Sequence, residues 1–477
     1  MGGKIKQSQR TKNNVRPSSS GRSAELLHST SYLTPGILHG GLQSAPLLFP
    51  TLTNPTLDQG VKPEFGICVK RLNKKDPTTK VKALQELNDL VSKGNIEDVL
   101  LVLPSWAHFY KILAVDTDCK VREAAQLCHG TFARVCGRQL APVIRQLVPA
   151  WLQAQYDEHA PAASLCRASL QATFPENKLP EVINFCKEEV MSQVLDNIIG
   201  KSEKTMPKKS EDPEELEQQL QRLVAGSLQG LRLMVERLPD NQLSWLQKAL
   251  EPVLSSTAFW KLPTHNASRV RDAWFTSMSQ LVRRLGPALP PAVGRRLLLA
   301  AVTDRLAPSP SWRCLLQLVG AVPDWFTWLD KEDRINKRML NLLEKGGWGD
   351  CRQLNDILLP LLSNLPEDQL TKEFYEDFFT AFLKGLQNKN ILNSKSERQY
   401  WITNMADCLR YLSLQKYSFV AEVLTSVHRN WLKAILSNQK EDQLKTNLIK
   451  QSAKCMTSLV RFWLKQSKEN GRNTISL

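Results

Sequence analysis

Histidines and cysteines are the residues here most able to hold a metal or attack a carbonyl, so their spacing comes first. The seven histidines, His28, His39, His108, His129, His159, His265 and His428, are scattered. Only Cys128 and His129 are adjacent to each other. Neighbours on a helix project about 100° apart and make no site unaided. The closest pair of the ten cysteines, Cys128 and Cys136, is eight residues apart, so no C-x-x-C is present. The paired-cysteine spacings of zinc ribbons and RING domains are therefore missing. There is no G-x-x-x-x-G-K-[ST], G-x-S-x-G or H-E-x-x-H, and no G-x-G-x-x-G after a strand. GGWG at Gly346–Gly349 reads as an inter-helix turn, and Glu188-Glu189 and Glu214-Glu215 as solvated helix faces. The expectation is no catalytic residue, no metal ligand and no cofactor held by this chain.

The basic residues carry a different chemistry, that of phosphate contact. Net charge is +16, which points to an acidic partner: nucleic acid, an anionic membrane or an acidic protein. Lys4, Lys6, Arg10, Lys12, Arg16 and Arg22 all precede the first acid, Glu25. A basic arm of this kind makes salt-sensitive, sequence-independent contacts with phosphates. A second cluster, Lys70, Arg71, Lys74 and Lys75, leads into Lys80 and Lys82. Lys74 and Lys75 are expected in a turn open to a partner, and Lys80 and Lys82 on the following helix as surface. Smaller clusters are Arg283-Arg284 and Arg295-Arg296. Solubility alone is the competing explanation for any of these charges.

The elements that position these charges are helices. Residues 1–60 combine the basic tail with a Pro- and Gly-rich docking segment, too poor in apolar surface to fold alone. No secretory signal or membrane-length apolar run occurs. The cysteines fit as small buried hydrophobes in a reducing compartment. From Phe65 onward the periodicity is helical, without sustained alternation. Asp76 is the expected N-cap of a helix, Pro77 its first residue and Gly94 its stop. Val81, Leu84, Leu87 and Val91 share one face. Similar segments recur: aligning Val81, Val121 and Cys166 gives steps of 40 and 45 residues, with a later echo at Val270-Arg271. That is the period of HEAT-type helical pairs, which bury a face only by stacking. The expected fold is all-α, a HEAT/ARM-like helical-repeat solenoid with a disordered basic N-terminal tail. Its segments are repeats at 61–200, a charged linker or loop at 201–215, further repeats at 216–465 and a frayed tail at 466–477. Looser breaks lie at 286–294 and 306–312. Trp106, Trp151, Trp245, Trp260, Trp274, Trp325, Trp328 and Trp401 are expected mostly as wedges between layers.

Three stretches together carry a family resemblance. They are MGGKIKQSQRTKNNVRPSSSGRSAELL, RLNKKDPTTKVKALQEL and YDEHAPAASLCRASLQATFPENKLPEVINFCKEEV, in order over roughly the first 190 residues. RLPDNQL at Arg237 and FWKLPTHNASRVRDAWF at Phe259 continue it. This set resembles the N-terminal part of the listerin family, RING-type E3 ubiquitin ligases of ribosome-associated quality control. The resemblance implies a cytosolic protein binding the split 60S ribosomal subunit and its rRNA, together with nuclear export mediator factor. In the family a zinc-binding C-terminal RING recruits E2 and ubiquitin, and the stalled nascent chain is marked for the proteasome. The RING is expected to be missing here, so this chain would not transfer ubiquitin by itself. Ribosomal RNA would supply phosphates to Lys4, Lys6, Arg10, Lys12 and Arg16 and, by extension, to Lys74, Lys75, Lys80 and Lys82. The rival expectation is a generic HEAT-repeat adaptor, transport-receptor-like, whose partner is an acidic protein or RNA. No membrane partner is expected.

Overall fold

Two helices in the first repeats begin at an aspartate whose side chain caps them. Asp76 accepts from the Thr79 amide at 2.8 Å, with Pro77 in the first turn. Asp118 accepts from the amides of Lys120 and Val121 at 2.7 and 3.1 Å. These bonds satisfy amides that the helix itself leaves free. At the other end, Gly94 stops its helix without a left-handed turn, at φ −76°. A Cβ there would lie 2.5 Å from the Leu90 carbonyl oxygen, so only glycine fits.

The computed structural model describes residues 60–200, 213–304, 308–328, 335–436 and 442–469. The arm residues Lys4, Lys6, Arg10, Lys12, Arg16 and Arg22 lie outside these ranges. Three helical pairs open the fold: α1 (Pro63–Leu72) with α2 (Pro77–Lys93), α3 (Ile96–Leu113) with α4 (Cys119–Cys136), and α5 (Ile144–Ala154) with α6 (Ala160–Thr173). Then come α7 (Leu179–Phe185), α8 (Lys187–Leu195), α9 (Pro213–Arg237), α10 (Leu243–Ser255), α11 (Ser268–Leu285), α12 (Pro291–Thr303) and α13 (Pro308–Ala321). The last group is α14 (Ile335–Glu344), α15 (Cys351–Ser363), α16 (Lys372–Gly385), α17 (Lys389–Asn393), α18 (Lys395–Ser413), α19 (Val420–Leu436) and α20 (Asp442–Glu469). No strand occurs among the described residues.

The second helices of the pairs stack on one another. α2 packs on α4 and α4 on α6; further on, the row runs α9, α11, α13, α15, α18 and α20. The fold is a helical-repeat solenoid. Between α6 and α9 the row steps sideways, and α9 packs chiefly on α5, α8 and α11. Gly226 permits this approach: a Cβ there would meet Gln153 Cγ at 2.7 Å. Gln153 Oε1 accepts from Gln193 Nε2 of α8 at 2.5 Å and its Nε2 donates to the Leu223 carbonyl of α9 at 3.5 Å, while Asn197, just after α8, donates to Ser227 of α9 at 2.8 Å. The repeats at 61–200 and 216–465 are thus packed together, and α9 already begins at Pro213, inside the expected linker. Likewise α20 runs past Lys465 to Glu469, into the expected tail, and α13 starts at Pro308, inside the third break.

The repeat register differs from the expected alignment. Four residues after their caps stand Lys80, Arg122, Arg271 and Arg398, all buried. Their heads turn back to the loop before the helix or across to the next repeat. Arg122 donates to the Asp116 and Thr117 carbonyls at 2.9 and 3.0 Å, and Arg271 to those of His265 and Asn266 at 2.6 and 2.7 Å. Arg398 donates to the Leu392 carbonyl. Lys80, not Lys82, is therefore the counterpart of Arg122, and Val81 is only half-buried. The cap sets the phase of the helix, and an apolar–basic dipeptide does not.

Trp106, Trp151, Trp274 and Trp401 are fully buried wedges, as expected, and Trp325 is buried too. Trp245 and Trp260 are half-buried, each under a cation: Lys187 at 4.9 Å and Arg296 at 4.4 Å from the ring centroids. Around Trp106 lies an aromatic cluster containing His129. That imidazole stacks on Tyr110 at 3.9 Å and accepts the Trp106 indole N–H at 3.2 Å. Burial pushes its pKa down to about 3. An unfolded histidine titrates near 6.5, so between these values the unfolded chain binds the extra proton. Stability is thus present above pH 6.5 and falls as pH drops through the window, by about 1.4 kcal/mol per unit from this group. Between pH 7 and pH 5 the loss should be about 2 kcal/mol. Urea unfolding of His129→Gln at both pH values should show that difference removed; an unchanged difference would mean that His129 is not the titrating group.

Candidate anion-binding surface

The turn between α1 and α2 carries the described part of the basic cluster. Lys70, Lys74, Lys75 and Lys82 are exposed. Lys74, Lys75 and Lys82 form no ion pair among the described residues. Arg71 is tied to Glu86 at 2.7 Å, so its charge is partly spent within the fold. The one carboxylate in the turn, Asp76, is occupied by the α2 cap; hydrogen bonds from the Thr79 hydroxyl and amide hold its pKa below the usual range. The turn therefore presents uncompensated ammonium groups to solvent, which is what diffuse phosphate contact requires.

Lys80 does not belong to this surface. It was expected to contact phosphate from the helix, but its ammonium lies 2.5 Å from Asp116 Oδ2, and both side chains are at most one-tenth exposed. Moving that ammonium to a partner would leave Asp116 buried without its cation, a cost no surface contact offsets. Of the four body lysines proposed for phosphate, the structure presents Lys74, Lys75 and Lys82.

The lesser clusters are half engaged. Arg284 donates to the Leu238 carbonyl at 2.5 Å and pairs with Asp240 at 2.6 Å, and Arg296 covers Trp260. Arg283 and Arg295 are exposed. One grouping escaped the sequence: Arg222 and Arg269, from α9 and α11, meet on Glu158 beside Arg122. These residues are spread over more than a hundred positions, and only the sideways step of the row unites them.

Nothing among the described residues resembles a reaction centre. No cluster of three metal-ligating side chains occurs there. Nine of the ten cysteines are buried, Cys119 being half-exposed. Burial pushes the Cys68 and Cys136 thiols up to about 11 and Cys186 to about 12, which keeps them protonated and weakly nucleophilic. Cys128 and His129 are both sealed in the core. No described helix is long and apolar enough to cross a membrane.

A family model described as the N-terminal domain of the E3 ubiquitin-protein ligase listerin matches residues 57–365. The chain belongs to the listerin family. Listerin of Gallus gallus is 32% identical over 430 residues, covering 87% of this chain and 24% of that protein. Listerin of Mus musculus is 31% identical over 427 residues, with 87% and 24% covered. Listerin of Drosophila melanogaster is 32% identical over 436 residues, with 87% and 25% covered. The chain thus spans about a quarter of the length of the listerins it matches. The listerin N-terminal match begins just before α1 and ends just after α15, so it contains both the basic turn and the Glu158 grouping.

Proposed function

We propose that this chain is the ribosome-engaging N-terminal part of a listerin-type E3 ubiquitin ligase. It docks on a split 60S subunit that carries a stalled nascent chain, alongside nuclear export mediator factor, in the cytosol. The whole ligase then ubiquitinates that nascent chain for the proteasome. The observation that carries this reading is the listerin N-terminal match over residues 57–365. Its electrostatics agree: a net charge of +16 and an exposed Lys74-Lys75-Lys82 surface, without an ion pair among the described residues, suit rRNA phosphates.

No residue here is proposed to carry out ubiquitin transfer. The cysteine spacing offers no RING, so E2 binding and zinc are assigned to other parts of the whole ligase. This chain's contribution is positional. A stacked solenoid holds its loops at fixed spacing, so one docking event can orient a distant ligase module. The arm residues Lys4, Lys6, Arg10, Lys12 and Arg16 add tethered, salt-sensitive contacts in this proposal.

Co-sedimentation of the purified chain with isolated 60S subunits across a salt titration tests it. Wild type should comigrate at low salt and dissociate steeply as salt rises. Lys74→Glu/Lys75→Glu should weaken binding and flatten the slope of log affinity against log salt by about 1.5, the loss of two phosphate contacts. An unchanged slope would remove the turn from the interface. A wild-type chain that never comigrates would sink the ribosomal reading itself.

A further inference from the structure

Where the helix row steps from α6 to α9, a cleft of about 320 Å³ opens. Four guanidinium groups line it, from Arg122, Arg167, Arg222 and Arg269, against two carboxylates, Asp157 and Glu158. The two acids are not equivalent. Asp157 is buried and takes the Arg122 fork at 2.7 and 3.1 Å. That pair is a structural rung of the repeat stack. Glu158 has a side chain 40% exposed, yet three arginines converge on it. Arg222 reaches its Oε1 at 3.1 Å, Arg122 stands 3.7 Å from the same oxygen, and Arg269 binds Oε2. Arg167 donates to the Gln155 carbonyl at 2.8 Å and forms no ion pair among the described residues.

The cationic side is therefore short of counter-charge. Arg222 feels this most. Burial, and then repulsion from Arg122, hold its pKa below the usual range, with Arg269 adding further repulsion. Its Nε is buried and has no hydrogen-bond partner among the described residues. A buried guanidinium in this state gains from any extra oxyanion within reach. One carboxylate has two oxygens and one charge. A phosphate group has more oxygens, up to two charges, and a shape that guanidinium forks grip in pairs.

We propose that this cleft is a phosphate-binding site, and that Glu158 occupies it as a displaceable internal stand-in for the ligand. Arg222 and Arg269 hold the phosphate, Arg167 adds a further guanidinium to the lining, and Arg122 remains committed to Asp157. Glu158 swings to solvent when the ligand enters, which its exposure allows. The proposal does not depend on the ribosomal reading. The phosphate can be that of a small free molecule or of a nucleic-acid backbone, and both present the same group.

Calorimetric titration of the purified chain with inorganic pyrophosphate tests the site, followed by competition with a single-stranded RNA oligomer. Wild type should bind pyrophosphate. Glu158→Gln, which removes the stand-in's charge, should tighten binding several-fold, while Arg269→Gln should weaken it about tenfold, the loss of one charge-assisted contact. Arg269 is one-third exposed, and circular dichroism of the unliganded variants checks that both keep the fold. RNA that displaces pyrophosphate from wild type would assign the phosphate to nucleic acid; RNA that does not would assign it to a small molecule. Binding absent from both wild type and Glu158→Gln at millimolar pyrophosphate would overturn the proposal, and so would binding that neither substitution alters.

Discussion

Arg122→Met should destabilise the N-terminal repeats by about 3–5 kcal/mol, because it leaves a buried carboxylate without its cation. The Arg122 side chain is 2% exposed and that of Asp157 6%. The guanidinium also satisfies the Asp116 and Thr117 carbonyls, so three acceptors lose donors at once. Methionine fills much of the volume, which leaves charge and hydrogen bonding as the cause. Repeat arrays unfold in parts, so the loss should show in the transition of the first repeats rather than globally. Amide hydrogen exchange of α3 to α6 reads that transition segment by segment. Adding Asp157→Asn should recover part of the loss, since the orphaned charge goes with it. A loss under about 1 kcal/mol would mean that the pair behaves as a surface ion pair.

Trp106→Ala should cost a similar amount, about 3–5 kcal/mol, by a different route. Trp106 lies within α3, is 1% exposed, and stacks on Phe132 with ring centroids 4.9 Å apart. Its removal leaves a cavity between α3 and α4 and takes the indole N–H donor away from His129 Nδ1. Trp106→Phe separates the two effects. It keeps most of the stacking and loses the N–H, so it should cost clearly less than alanine. Thermal unfolding of the three proteins orders them wild type, phenylalanine, alanine; a phenylalanine variant as unstable as alanine would show that the hydrogen bond, not the packing, dominates.

Both substitutions act on a register that was only partly legible. Asp76 was readable as a helix start because capping is a local event, settled within three residues. The stacking of helical pairs was readable because a lone pair cannot bury its apolar face. Lys80 was misplaced for a physical reason: nothing within its own helix marks it as buried. Its partner Asp116 stands 36 residues away and arrives only when the next repeat stacks. Lys82, two residues on, is chemically identical and points to solvent.

The arginine cleft shows the same limit more strongly. Arg122, Glu158, Arg222 and Arg269 share no motif and no local spacing. They meet because α9 packs on α5 and α8, which Gly226 allows, and so carries Arg222 to the loop that holds Glu158. The candidate phosphate surface in the α1–α2 turn was legible because a turn exposes what it holds.

By itself, then, the sequence determined the helical class, the cap at Asp76, the repeating pair and the resemblance to listerin, all of which depend on local spacing or on residue order. Only the tertiary structure decided which cations are spent inside the fold and which face a partner. Burial and pairing are set by groups brought together from distant positions, and a basic residue carries no local mark of which it will be.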